Sequence, residues 1–303
     1  MEKGGDNQTS VSEFLLLGLT DHPKLNFLFF MIILLMYFVT IIGNLGMVIL
    51  ICCSSKLHSP MYFFLGNLSF SDLCYSSVIT PKLMTNLYSD QKVISFKGCA
   101  TQLFFFVLFV GSECFLVTVM SYDRYVAICN PLLYTVIMSK PLQLKLVGTA
   151  YSGGILTSII HTSCTFSMTF CGSSKVNHFF CDIPPLLKLS CNNTFISELF
   201  MFLLSSILGG LSATVIMFSY TKIISTILRM QSPEAHLLVV ALFFGTAIFE
   251  YARPISSYSI QKDKIISFVY TVVIPMLNPI IYSLRNAHVK NAFNGVLDKI
   301  SWK

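Results

Sequence analysis

Long apolar stretches separated by short polar segments make up most of this 303-residue chain. A helix rises 1.5 Å per residue, so about 20 consecutive apolar residues are needed to cross the roughly 30 Å hydrocarbon layer of a bilayer. Seven stretches meet this length, and we number them as spans one to seven in chain order: 25–52, 60–87, 99–125, 141–168, 195–228, 233–251 and 265–284. The pattern predicts an all-α membrane protein, a seven-transmembrane helix bundle.

The segments outside the spans are shorter. Residues 1–24 are predicted to be an extracellular N-terminal tail, 25–284 the seven-transmembrane domain and 285–303 a cytoplasmic amphipathic helix and tail. In that last segment five apolar residues share one helical face, at offsets of 0, 4, 7, 8 and 11: Val289, Phe293, Val296, Leu297 and Ile300. An unstructured tail with accidental periodicity is the alternative. The apolar residues 14–19 are too few for a signal peptide and follow acidic residues, so the first span is expected to insert the chain.

Composition agrees with a lipid environment and a single domain. Apolar residues are 54% of the chain, charged residues 11% and the mean hydropathy +0.71, whereas soluble domains carry about 25% charged residues. The net charge of +6 comes from single Lys and Arg residues spread through the loops, without basic runs interleaved with aromatic residues. No nucleic-acid partner is therefore expected.

The orientation of the chain is predicted from sequons and cysteines. An odd number of spans puts the termini on opposite sides of the membrane, but the 20 Lys and Arg residues divide equally between the two sides, so their distribution does not decide. Sequons at Asn7 and Asn192 fall on the same side as four cysteines that are candidates for disulfides: Cys99, Cys171, Cys181 and Cys191. Disulfides persist in oxidising compartments. We predict a multi-pass plasma membrane protein with an extracellular N-terminus glycosylated at Asn7.

Two acidic residues lie in the middle of spans. Asp72 is in the second span and Glu113 in the third, where a charge is costly unless it is paired or hydrated. If the two helices face each other, the carboxylates favour a small hard cation such as sodium. The alternative is a pair of protonated acids bonded to neighbouring groups.

The third span ends in Asp123-Arg124-Tyr125, an acid beside a guanidinium at the predicted cytoplasmic boundary. An Arg held by its neighbouring Asp and released when helices separate forms a two-state switch. This position predicts a role in coupling to a cytoplasmic partner.

The seventh span contains Asn278-Pro279 and, three residues later, Tyr282. A proline inside a membrane helix leaves a carbonyl without its usual donor, which neighbouring polar groups or water must satisfy. Pro275, one turn earlier, adds a second such position. The pattern predicts a hinge, with a static kink as the alternative.

Together these residues resemble the rhodopsin-like G protein-coupled receptors, on Gly43-Asn44, Asp72, Cys99, Asp123-Arg124-Tyr125, Asn278-Pro279 and Tyr282. Longer segments are similar to the odorant receptor subfamily: 60–65 (PMYFFL), 120–129 (MSYDRYVAIC), 275–286 (PMLNPIIYSLRN) and the equally spaced Cys171, Cys181 and Cys191. The resemblance covers nearly the whole chain.

The resemblance implies a receptor and not an enzyme. It implies binding of a small volatile odorant in the outer half of the bundle and activation of a heterotrimeric stimulatory olfactory G protein, which raises cyclic AMP. It also implies disulfides from Cys99 to Cys181 and from Cys171 to Cys191, one of three pairings of four cysteines, and a sodium site at Asp72 and Glu113. No other cofactor is implied.

The resemblance implies a ligand pocket between spans three, five, six and seven. Volatile ligands bind mainly by desolvation and dispersion, so apolar and aromatic side chains should line it. In the third span the candidates are Phe106, Val110 and Gly111; in the sixth they recur at offsets of 0, 3, 4 and 7, namely Phe244, Ala247, Ile248 and Tyr251. Ordinary helix packing is the alternative for each of them.

The sixth span departs from the family pattern. Between Arg229 and Leu237 the family carries a basic stretch at the inner end of this helix, and this chain has only seven other residues there. Ser232 as N-cap and Pro233 at the first helical position predict a helix over 233–251, just long enough to cross the hydrocarbon layer. A receptor that moves the inner end of this helix would here couple weakly or not at all.

Three other functions are compatible with a chain that spans a membrane. A transporter should show repeated halves with broken helices, and a membrane enzyme should show paired metal ligands or a nucleophile motif; the sequence shows neither. A third possibility keeps the fold and loses signalling, as a non-functional or scavenging receptor. The sequence does not identify the odorant or the oligomeric state.

Overall fold

The computed structural model describes residues 11–19, 23–89, 91–171, 174–191, 194–227, 260–284 and 289. Within these residues it is mostly helical. Spans one to five are the helices Pro23–Cys53, Pro60–Tyr88, Phe96–Cys129, Lys140–Phe166 and Phe195–Ile227. The seventh span is continuous and has three parts, the α-helix Ile260–Phe268, the π-helix Val269–Val273 and the α-helix Ile274–Leu284.

Four described helices are long and apolar enough to cross a membrane by length and composition: Leu25–Cys53, Phe96–Cys129, Phe195–Thr226 and Lys264–Tyr282. They belong to spans one, three, five and seven. The predicted sixth span and the predicted cytoplasmic helix lie outside the described residues, except for Val289, which is buried.

Most helices extend beyond the apolar stretches that predicted them. The third begins at Phe96 and not at residue 99, and the seventh at Ile260 and not at 265. Hydropathy marks only the part that fits hydrocarbon, whereas polar turns continue the same hydrogen-bonded helix. The Ser95 hydroxyl accepts a hydrogen bond from the Gly98 amide at 3.1 Å and caps the third helix at its start.

The third span is the central helix of the described part, in contact with spans two, four and five. The first span packs on the second and seventh. Small residues bring the third and fourth helices together: a Cβ atom on Gly154 would lie 2.5 Å from the Leu108 carbonyl oxygen. Glycine at 154 therefore sets the close approach of these two helices.

Short helices occupy the connections between spans. They are the 3-10 helices Ser55–Leu57 and Pro131–Leu133, and the α-helices Tyr134–Ile137 and Ile183–Leu187. Ile183–Leu187 lies in the long connection between the fourth and fifth spans, and all five of its residues are buried.

A three-stranded sheet covers one end of the bundle. Strand β1, Glu13–Leu16, is central, antiparallel to β2, Val93–Ser95, and parallel to β3, Lys175–Val176. Phe14 in β1 is fully buried, 5.3 Å from Phe170 and 6.0 Å from Phe96 between ring centroids. The predicted extracellular tail, residues 1–24, thus contains a strand, β1, whose alternate side chains enter an apolar cluster.

Two disulfides lie at the same end. Cys99 pairs with Cys181 at a Cα–Cα distance of 5.5 Å, and Cys171 pairs with Cys191 at 5.8 Å. These are the pairs that the family resemblance implies. The first of them ties the central helix to the connection between the fourth and fifth spans.

Candidate functional site

A cavity of about 290 Å³ lies between the third, fourth and fifth spans and the short helix Ile183–Leu187. The predicted pocket residues Phe106, Val110 and Gly111 all line it. The other four predicted residues, Phe244, Ala247, Ile248 and Tyr251, lie outside the described residues. The sequence did not predict that the fourth span contributes to this cavity.

Aromatic rings support the apolar wall of the cavity. The Phe106 ring is 5.8 Å from that of Tyr75, 5.0 Å from that of Phe180 and 6.3 Å from that of Tyr270 between centroids. Phe106 thus contacts the second span, the connection between the fourth and fifth spans, and the seventh span. Aromatic pairs at these separations add to the energy of area burial.

The fourth and fifth spans supply polar groups to the cavity. His161 Nε2 lies 3.4 Å from the Ser205 hydroxyl, and both residues line the cavity. Thr157 also lines it, but its hydroxyl donates to the Gly153 carbonyl at 2.8 Å. His161 could have been identified from the sequence, because a histidine inside an apolar span is a functional candidate by default.

The connection between the fourth and fifth spans is held over this region by hydrogen bonds that the sequence did not predict. The Gln102 amide oxygen accepts from the Cys181 amide at 3.0 Å, and its nitrogen donates to the Val78 carbonyl at 3.1 Å. Asp182, fully buried, accepts from the Ile183 amide at 2.8 Å and from the Tyr270 hydroxyl at 3.4 Å. The loop is thereby joined to the second, third and seventh spans.

His178 lies in the same loop and is fully buried. Its ring stacks on Phe179 at 4.6 Å between centroids and meets Phe180 edge-on at 4.8 Å. Burial, with a smaller contribution from the positive charge of Lys264, lowers the pKa of His178 from 6.5 to about 3. The imidazole is therefore neutral at physiological pH.

A second group of polar side chains lies deeper in the bundle, and we call Asn44, Asp72 and Asn278 the polar cluster. All three are buried. The Asn278 amide donates to both Asp72 carboxyl oxygens, at 3.0 and 3.2 Å. The structure thus connects the acid of the second span with the Asn-Pro motif of the seventh.

Asn44 explains how the seventh helix tolerates Pro279. Proline has no N–H, so the carbonyl four residues earlier, that of Pro275, lacks its helical donor. The Asn44 amide supplies that donor at 2.8 Å. Gly43 makes room for the proline ring, because a Cβ atom there would lie 2.8 Å from Pro279 Cγ.

The π-helix Val269–Val273 is the other irregular part of the seventh span. Its wider turn changes which carbonyls are bonded, and such turns are frequent at functional sites. The Tyr75 hydroxyl donates to the Tyr270 carbonyl at 3.0 Å, so the second span again satisfies a backbone group of the seventh.

The side chains that could hold a sodium ion lie at and near the polar cluster. Asp72 and Glu113 are 0% and 1% exposed, so both carboxyl groups are buried. The Asn44 amide oxygen is buried and has no hydrogen-bond partner among the described residues. The described residues contain no group of three or more His, Cys, Asp or Glu side chains placed to hold a metal. Two carboxylates and a free amide oxygen are chemically suited to a hard monovalent cation.

The acid of the predicted coupling motif has a hydrogen-bond partner that the sequence did not predict. The Asp123 carboxylate accepts a hydrogen bond from the Tyr134 hydroxyl at 2.9 Å. The switch between Asp123 and Arg124 stays a prediction. Burial, together with the charge of Asp123, raises the pKa of Tyr134 well above 10, which keeps its hydroxyl a donor. Tyr125 packs near Phe218 of the fifth span, with ring centroids 6.1 Å apart.

Comparison with known proteins identifies a family. A family model described as olfactory receptor matches residues 33–299. The chain is 50% identical to mouse (Mus musculus) Olfactory receptor 5AP2 over 96% of this chain and 95% of that protein. It is 48% identical to human (Homo sapiens) Olfactory receptor 5AR1 over 98% of this chain and 99% of that protein.

The alignment with human Olfactory receptor 5AP2 shows that this chain lacks some residues of that relative. It covers all of this chain and 98% of that protein at 48% identity, and it runs over 312 positions against 303 residues here. At least nine positions of the relative, the difference between these two lengths, therefore have no counterpart in this chain.

Proposed function

Because this chain belongs to the olfactory receptor family of rhodopsin-like G protein-coupled receptors, we propose that it binds small volatile odorants in the cavity beside Phe106 and Val110. We also propose that the receptor, with an odorant bound, activates a heterotrimeric stimulatory olfactory G protein and so raises cyclic AMP. Members of this family are receptors and not enzymes.

The observation that carries the proposal is the apolar cavity of about 290 Å³ on the central helix. Ligand sites are concave and mostly apolar, with a few placed polar groups. This cavity lies directly below the disulfide-linked loop, and Phe106 connects it to the second and seventh spans. A ligand that shifts Phe106 thus acts on helices that carry the polar cluster.

The proposed topology is seven spans in the plasma membrane with the N-terminus outside. It is supported by the sheet, in which the N-terminal strand β1 pairs with the loops that contain β2 and β3. Those loops adjoin both disulfides, which belong to an oxidising compartment. Asn7, the proposed glycosylation site, precedes β1 and lies outside the described residues.

A sodium ion held by Asp72 and Glu113 is part of the proposal. When bound, it would neutralise two buried carboxylates for which the described residues supply no Lys or Arg partner. Asn278 donates to Asp72 and so orients one carboxylate, and the free Asn44 amide oxygen adds a neutral ligand. Two protonated acids remain the alternative.

Coupling is proposed to be weak. The segment between Arg229 and Leu237, outside the described residues, lacks the family's basic stretch, and the alignment of 312 positions with 303 residues agrees with missing residues in this chain. A receptor that inserts and binds ligand without strong signalling is the second candidate function, and the same observation favours it.

The deciding experiment compares two chains in transfected cells, the natural sequence and one with a family segment restored between Arg229 and Leu237. An odorant panel is titrated against cyclic AMP, with surface expression measured by an N-terminal tag. We expect responses from the restored chain and little from the natural one. A robust response of the natural chain refutes the coupling defect, and silence of both at equal surface expression refutes the receptor proposal.

A further inference from the structure

The cavity has two unlike sides. The third span contributes an apolar and aromatic side with Phe106, Val110 and Phe115. The fifth span contributes the hydroxyl groups of Ser205, Ser206 and Ser212. Across the part of the chain that the structure describes, the lining includes no Asp, Glu, Lys or Arg.

The Ser205 hydroxyl differs from other hydroxyls of the same helix. Those of Thr214, Thr221 and Ser225 each donate at 2.7 Å to the carbonyl four residues earlier. Ser205 makes no such bond to the described backbone; its contact is with His161 Nε2 at 3.4 Å, near the limit for a hydrogen bond. A hydroxyl has one donor and two acceptor positions, so most of this capacity is unused.

His161 adds a second unused group. Its side chain is only 4% exposed and lines the same cavity, and its Nδ1 atom has no hydrogen-bond partner in the described ranges. Buried polar atoms without partners are costly and uncommon in native structures. The imidazole and the hydroxyl therefore have more hydrogen-bonding capacity than the described protein uses.

We infer that the cavity takes a neutral small molecule that is apolar over most of its surface and carries one hydroxyl or carbonyl oxygen bound at Ser205 and His161. This rests on the proposed function, since it specifies the ligand of that cavity. A hydrocarbon would leave the polar pair unpaired. A carboxylate or an ammonium would bury a charge that has no counterion among the described lining residues, which is more costly still.

The volume limits the size of the ligand. Cavities for drug-sized ligands measure about 300–1,000 Å³, and about 290 Å³ lies at the lower end of that range. A single small molecule fits this volume, with its apolar part against Phe106 and Val110 and its oxygen toward the fifth span.

The test uses the purified full-length chain in lipid nanodiscs and five eight-carbon probes: octane, octanal, octanol, octylamine and octanoate. Binding is measured by saturation-transfer NMR and by the thermal unfolding midpoint, with empty nanodiscs correcting for partition into lipid. Neither readout needs a G protein, so weak coupling does not affect the result.

Three variants accompany the natural chain. Ser205→Ala removes the hydroxyl, Ser205→Thr retains one, and Ser225→Ala is the matched control, since the Ser225 hydroxyl is already bonded to its own helix. We expect octanol and octanal to bind more tightly than the other three probes. Ser205→Ala should weaken the binding of octanol and octanal about three- to tenfold, as loss of one neutral hydrogen bond predicts. Ser205→Thr and Ser225→Ala should bind both probes within about twofold of the natural chain.

The outcomes separate the two proposals. If all five probes bind alike and Ser205→Ala binds them like the natural chain, the ligand class is wrong and the cavity remains a ligand site. Preferred binding of octylamine or octanoate also overturns the ligand class. If no probe binds at all, both the inference and the proposed odorant site fall.

Discussion

The cavity and the polar cluster lie in one helix bundle and differ in how they use polar groups. In the cluster, the Asn278 amide bonds both oxygens of Asp72, and Asn44 satisfies the carbonyl that Pro279 leaves free. In the cavity, Ser205 and His161 share one long contact, and the remaining surface is largely apolar. The difference teaches that hydrogen bonds between buried polar groups join the helices at the cluster, whereas the polar groups beside the cavity keep bonding capacity that is available to a ligand.

The largest effect on stability is expected in the polar cluster, from Asn278→Leu. The change leaves the buried Asp72 carboxyl without its donor, so we expect a loss of about 3 kcal/mol in the free energy of unfolding. The measurement is the thermal unfolding midpoint in nanodiscs. Asn67→Leu is the matched control, since the Asn67 amide donates to its own helix at Phe63, and it should cost about 1 kcal/mol or less. Equal losses in both variants would contradict a special role for the cluster.

The loop above the cavity should respond to acid through His178. Its pKa is about 3 in the folded protein and 6.5 when unfolded, so the unfolded chain binds the proton first as the pH falls. The stabilisation is complete above pH 6.5 and is lost on going toward pH 3; between pH 7 and 4.5 we expect a loss of about 2–3 kcal/mol.

The unfolding midpoint followed from pH 7.5 to 4.5 measures this effect. His178→Phe should flatten the dependence, whereas replacing the exposed His58 in the same way should leave it unchanged. A natural chain and a His178→Phe variant with the same pH profile would show that His178 is not the responsible group.

Gly43→Ala tests how closely the first and seventh helices pack beside the cluster. The new Cβ atom would lie 2.8 Å from Pro279 Cγ, and we expect overpacking to cost about 1–2 kcal/mol. Gly46→Ala, one turn along, meets nothing within 4 Å and should gain about 0.5–1 kcal/mol from helix propensity. Unfolding midpoints that shift in the same direction would refute the close approach at Gly43.

The smallest effect on stability is expected in the cavity. Val110→Leu adds one methylene group facing open space and should change the free energy of unfolding by less than about 0.5 kcal/mol, while weakening octanol binding by filling the site. Val117→Leu, on the same helix but 1% exposed in the packed core, should cost about 1–3 kcal/mol. If Val110→Leu lowered the unfolding midpoint more than Val117→Leu, Val110 would not face the cavity.

Several site residues were predicted from the sequence because each carries a local chemical signal. Acids inside apolar spans identified Asp72 and Glu113, and prolines inside a helix identified the irregular seventh span. The partners of these residues were not predictable, since they come from distant positions. Asn44 meets the Pro275 carbonyl 231 residues later, and Asp123 accepts a hydrogen bond from Tyr134, 11 residues later.

The sequence alone determined that helices form and approximately where, because hydrocarbon requires about 20 apolar residues whose backbone groups are bonded within the segment. It also marked the cysteines of the two disulfides, although only a family resemblance suggested how they pair. The tertiary structure alone decided that residues 13–16 form a strand, that the fourth span lines the cavity, and which amide satisfies which carbonyl or carboxylate. These features depend on the angles and rotations at which helices pack, and a periodic apolar pattern does not specify those.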